Sequence, residues 1–124
     1  MVSVLIVDDD EHLCHAIADG LAKAGYDTRE ANSGKEFLDL LREAPPDIVI
    51  TNLFMPDFDG FGVIMHLRRE IPDVRIIAMS GADDSKADYL KAATQFGAAY
   101  TVKKPFRFKY LLETVAACIP IKPD

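Results

Sequence analysis

Cysteine is scarce in this chain, and the two present stand far apart. Cys14 and Cys118 show no C-x-x-C spacing that would hold a metal or run redox chemistry. Both fall in helical stretches and read as small apolar residues of a reducing compartment, with a disulfide between the first and last helices as the alternative. Positive charge is also in short supply. Lys and Arg number 14 against 20 Asp and Glu, a formal net charge of -6. That balance speaks against nucleic acid or an anionic membrane as partner, since both need a basic face. No apolar run is long enough to span a bilayer. No leader pattern is expected, because Met1 runs almost directly into a strand-like segment ending in three aspartates. Linkers and low-complexity tracts are missing too. What is there is an ordinary globular balance, 49% hydrophobic and 27% charged, in 124 residues that suit one domain in the cytoplasm. That domain is expected to fill 1–124, with its core over about 2–118 and IPIKPD (119–124) as a short tail.

The hydrophobic pattern alternates between strand and helix throughout. VSVLIV (2–7) is an apolar run fit for a strand covered on both faces. In EHLCHAIADGLAKAG, Leu13, Ile17 and Leu21 share one helical face, Cys14, Ala18 and Ala22 form a mild apolar stripe outward, and Gly25 closes the helix. YDTREA (26–31) is a polar strand, which suits a sheet edge. Ser33 caps a second helix whose buried stripe is Phe37, Leu38 and Leu41, stopped by APP at 44–46. DIVIT (47–51) is the third strand. A third helix begins near Gly60, turns Ile64 and Leu67 inward and ends before Pro72. VRIIAMS (74–80) and AAYTVK (98–103) are strands. KADYLKAATQF (86–96), capped by Ser85, and RFKYLLETVAAC (107–118), with Leu111, Val115 and Cys118 on one side, are helices. Five βα units with short links force parallel strands and right-handed crossovers. The fold class is therefore α/β, doubly wound.

In such a sheet, polar residues at the carboxyl ends of strands converge on one crevice. The first strand delivers Asp8, Asp9 and Asp10, the third Asn52, the fourth Ser80, and the fifth Lys103 and Lys104 before Pro105. Adjacent carboxylates repel unless a cation neutralises them, and oxygen donors without His or Cys point to magnesium. A hydroxyl and a lysine opposite would hold phosphoryl oxygens. Taken alone, the three aspartates serve equally well as an acidic cap for the first helix. His12, His15 and His66 read as surface histidines rather than ligands. Met55, Met65 and Met79 suit loop and core packing.

LIVDDD, DIVITNLFMPDFDG, IIAMSG and VKKPF together resemble the motifs of the response-regulator receiver domain, over about residues 2–118. The resemblance implies a flavodoxin-like sheet in strand order 2-1-3-4-5 with helices on both faces. It implies phosphoryl transfer from a histidine kinase or histidine phosphotransfer protein to an aspartate, then contact with a downstream protein. Asp9 would bind Mg2+ directly and Asp8 mainly through water, with the backbone carbonyl of Phe54 as a further ligand. Ser80 matches the switch hydroxyl, Lys104 the phosphate-pairing lysine and Pro105 the cis-proline that follows it. Lys103 has no such match and is a solvated neighbour.

Asn52 falls on the phospho-acceptor. An amide keeps the shape of a carboxylate but is neutral and a poor nucleophile, so phosphorylation is not expected and Mg2+ should bind more weakly. Two origins fit: a substitution or recent loss in an ordinary receiver, or a natural pseudo-receiver that binds partners constitutively. Two further departures stand out. Thr101 occupies the place of the usual aromatic switch residue, and Tyr100 points to the opposite face. The segment between Ser80 and the glycine before the fifth strand is also longer than the common spacing. A phosphohydrolase of the haloacid dehalogenase type, using Asp8 and Asp10 as its D-x-D, is a remote alternative, and His12 stands where that family has Thr or Val. The leading expectation is a signalling module, not a metabolic enzyme.

Overall fold

A strand that is apolar on both faces must be covered on both sides, and three such strands form the centre of this molecule. The computed structural model describes residues 1–56, 58–81 and 87–119. Strands β1 (Ser3–Val7), β3 (Ile48–Asn52) and β4 (Arg75–Ser80) are buried along almost their whole length. They are flanked by β2 (Asp27–Ala31) and β5 (Tyr100–Lys103) in a parallel sheet of order β2-β1-β3-β4-β5. The polar strand β2 does lie at an edge.

Side chains alternate across the sheet. Ile6, Ile50, Met79 and Val102 meet helices α1 (Glu11–Lys23) and α5 (Phe108–Ala117). Leu5, Val49, Ile76 and Ala78 meet the side that carries α2 (Gly34–Glu43), α3 (Gly60–Glu70) and α4 (Ala87–Phe96). Expected element ends move by no more than a residue or two. Gly25, at φ 103°, takes the left-handed conformation that ends α1 without the cost of a Cβ.

Two helical faces differ from expectation. Cys14 and Ala18 point into the core, and of the stripe expected outward only Ala22 is exposed. The buried set of α1 is Cys14, Ile17, Ala18 and Leu21, the i, i+3, i+4, i+7 stripe of a helix laid flat on a sheet, which turns Leu13 to its margin. In α2, Leu38 is 37% exposed, while Leu40 and Leu41 pack beside Phe37. Phe37, Leu40 and Leu41 again follow the i, i+3, i+4 spacing, and Leu38 falls one step outside it. The cysteines are free thiols, both in the core under α1 and α5. Ser33 caps α2 by accepting from the Glu36 N–H. The expected Ser85 cap, the long β4–α4 segment and the tail beyond 119 lie outside the described residues.

Candidate functional site

The register brings the expected site residues into one line at the carboxyl edge. Val7 pairs with Thr51, Asn52 with Met79, and Ser80 with Lys103. Backbone bonds carry the line past the strand ends: Asp8 N–H to the Ala31 carbonyl at 3.0 Å, Leu53 N–H to Met79 at 2.9 Å, and Lys104 N–H to Ser80 at 2.7 Å. The Lys104–Pro105 peptide is cis, as the resemblance implies.

The three aspartates divide their work. Asp10 caps α1, its carboxylate accepting from the Leu13 N–H at 3.1 Å. Asp9 is exposed. Asp8 is fully buried, and its Oδ2 lies 2.9 Å from the Lys104 ammonium, whose side chain is 19% exposed. The other oxygen, Oδ1, accepts from the Asp10 N–H at 3.0 Å. Burial pushes the Asp8 carboxyl above its ordinary range, while the Asp10 N–H and the Lys104 ammonium hold it down. Metal site and helix cap were alternatives for the triplet, and the chain gives the cap to Asp10 and the buried charge to Asp8. Asn32 had no sequence signal, yet its Nδ2 donates to the Asp8 carbonyl at 2.9 Å.

Asn52 is 7% exposed, and its Nδ2 donates to the Phe54 carbonyl at 2.7 Å. A carbonyl only accepts, so this contact fixes which end of the amide faces Phe54. Gly60 makes the tight turn after β3 possible. A Cβ there would stand 2.2 Å from the Asn52 carbonyl oxygen and 2.6 Å from the Leu53 Cα. Asp59 caps α3 through the Phe61 and Gly62 N–H groups, and an isolated bridge joins Phe54 to Asp59.

Ser80 is 2% exposed at the end of β4. Thr101 is half-buried, and Lys103 is exposed. Tyr100 turns to the other face, its hydroxyl donating to the Ala117 carbonyl of α5 at 3.3 Å. The histidines stand outside the site. His12 and His15 are exposed, His15 beside Glu30, and His66 packs edge-on against Phe37.

Asp8, Asp9, Asn52 and the Phe54 carbonyl are the hard oxygen donors that magnesium favours. As placed, Asp8, Asn52 and the Phe54 carbonyl already carry contacts that a bound cation would share or displace. Both Asp8 oxygens are engaged, and the Asn52 N–H occupies the Phe54 carbonyl. No three His, Cys, Asp or Glu converge among the described residues.

The sequence model of the response regulator receiver domain matches residues 4–116. Sensor kinase CckA of Brucella abortus is 36% identical over 116 residues, 91% of this chain and 12% of that protein. Response regulator MprA of Mycolicibacterium vanbaalenii is 33% identical over 118 residues, 95% of this chain and 50% of that protein. The chain thus spans at most half the length of these curated relatives. The receiver domain of Francisella response regulator 1452 superposes with a TM-score of 0.84 at 26% identity, covering 94% of this chain and 95% of that one.

Proposed function

The chain belongs to the response regulator receiver domain family, and on that premise we propose a receiver that takes no phosphoryl group at its acceptor position. Receiver domains generally are signalling modules that interact with histidine kinases and bind Mg2+ in an acidic pocket. In this reading Asn52 holds the acceptor position. Lys104 stands ready to pair with phosphate, Ser80 supplies the switch hydroxyl, Thr101 holds the switch position without a ring, and Asp8 and Asp9 are the acidic pair.

The observation that carries the proposal is chemical. Acyl phosphate formation needs a carboxylate oxygen to attack phosphorus, and the Asn52 amide is neutral, with its nitrogen already donating to Phe54. The arrangement around it keeps the features of a phosphoryl site, with a buried carboxylate, a lysine 2.9 Å away and a hydroxyl one strand over. With aspartate at position 52, the donor would be a histidine kinase or a histidine phosphotransfer protein. With asparagine, the module acts through protein contact alone, in a single domain spanning 1–124. It works in the cytoplasm and catalyses no turnover. No helix among the described residues is long and apolar enough to cross a membrane.

Intact-protein mass spectrometry after incubation with acetyl phosphate and magnesium tests this. The expected result is no adduct on this protein and one hydroxylamine-labile phosphate on Asn52→Asp. A labile phosphate on the protein as it stands would overturn the proposal.

A further inference from the structure

We propose that the Asn52 amide is a built-in substitute for a cation, closing the loop after β3 and holding Phe54 against α4 without metal. The inference rests on reading residue 52 as the acceptor position, and it extends that reading to how the loop is held.

Two oxygens 2.7 Å apart repel unless a proton or a cation lies between them. Here the proton belongs to the side chain, since Nδ2 of Asn52 donates to the Phe54 carbonyl. A carboxylate in the same place would set oxygen against oxygen, so it would turn away unless an ion lay between them. The amide removes that need and reduces the negative charge facing Asp8. The bond spans only two residues, so it fixes the backbone at Phe54 directly. The Gly60 N–H donating to the Leu53 carbonyl at 2.9 Å and the Phe54–Asp59 bridge hold the other side of the same loop.

What that backbone fixes is an aromatic contact. The Phe54 ring meets Tyr89 of α4 edge to face, with centroids 4.7 Å apart and planes at 76°. It also meets Phe61 of α3 at 6.3 Å, and Phe61 continues to Phe96 of α4 at 5.7 Å. Edge-to-face pairs at such distances are favourable beyond the area they bury. Four rings therefore link the residue whose carbonyl takes the amide proton to two positions on α4. Thr101 has no ring to make a link from β5, and Tyr100 is bonded to α5 on the other face. State at residue 52 passes to α4 through Phe54 and Tyr89.

Nuclear Overhauser contacts between the Phe54 and Tyr89 rings read the closed loop, in chelator and in magnesium. In this protein they should be present in both, with the Phe54 amide shift unmoved by the metal. Asn52→Asp should lose most of their intensity in chelator and regain it with magnesium. Asn52→Ala, with neither proton nor charge to bridge, should lose them in both conditions. If Asn52→Ala does not fold, the two conditions of Asn52→Asp still decide. Ring contacts in this protein that follow magnesium as those of Asn52→Asp do, or that persist in Asn52→Asp under chelator, overturn the proposal. Phosphate uptake by Asn52→Asp is measured separately by mass. A variant that takes phosphate while the ring contacts behave otherwise removes only this inference. A variant that takes none while the contacts follow the prediction removes only the functional reading.

Discussion

Asp8 shows how one residue's burial becomes a property of the whole protein. Its carboxyl is held above the ordinary 3.8, chiefly by loss of water. The folded protein therefore binds the Asp8 proton more tightly than the unfolded chain does. Stability from this group is largest at low pH and falls as pH rises through the window above that value. Comparison with Asp8→Asn reads the effect: as pH rises above 3.8, the stability difference should move in favour of the amide, by urea denaturation at each pH. Cutting away the partner should hurt. Lys104→Ala should cost about 1–3 kcal/mol at neutral pH, less than a fully buried pair because Lys104 keeps some contact with water, and the cost should shrink in acid as Asp8 takes up a proton. The cysteines make the opposite case. Burial pushes Cys14 up to about 12 and Cys118 up to about 11, so neither thiol should react with a disulfide reagent at neutral pH until the protein is unfolded. Fast labelling of either native thiol would contradict their placement in the core. That Asp8 and Lys104 stand at the carboxyl ends of their strands was legible in sequence, because strand ends are. The proton that Asn52 shares with Phe54 was not, because sequence shows which groups are present and not where an amide turns.

At the scale of the element, the close approach of Gly60 to the end of β3 sets the start of α3. Gly60 touches backbone rather than flexible side chains, so Gly60→Ala cannot be absorbed by a rotamer change. It should cost about 1–3 kcal/mol, read as a lower denaturation midpoint with unchanged slope. Asp59→Ala removes the α3 cap and should cost about 1 kcal/mol. A Gly60→Ala protein as stable as the parent would mean that the close approach of β3 and α3 is not required. Strands and the Ser33 cap were legible because apolar runs and a serine before a helix act locally, whereas the Asp59 cap of α3 was not singled out. Helix faces were less so. The outward placement of Cys14 and Ala18 failed because a helix lying on a sheet buries a four-position stripe, wider than the i, i+4 row of Leu13, Ile17 and Leu21. Leu38 failed for the reverse reason, since α2 packs on one side alone and its stripe is Phe37, Leu40 and Leu41.

Across the whole molecule, five βα units leave little freedom in topology, which is why the doubly wound class followed from periodicity and the strand order from the resemblance. The parallel register then places Asp8, Asn52, Ser80 and Lys104 on one edge, although 96 positions separate the first from the last. Long-range side-chain bonds such as Asn32 to the Asp8 carbonyl leave no trace in the sequence, because either partner alone is an ordinary turn residue. In the proposed reading, residue 52 faces this acidic crevice and its amide relieves a charge the crevice would otherwise carry. Paired denaturation curves of this protein and Asn52→Asp, in chelator and in magnesium, test it most directly. In chelator the amide form should be more stable by about 0.5–2 kcal/mol, because the aspartate adds a like charge near Asp8 and loses the proton shared with Phe54. Magnesium should narrow the gap by binding the aspartate form better. An aspartate form that is the more stable of the two in chelator would mean that residue 52 does not face Asp8.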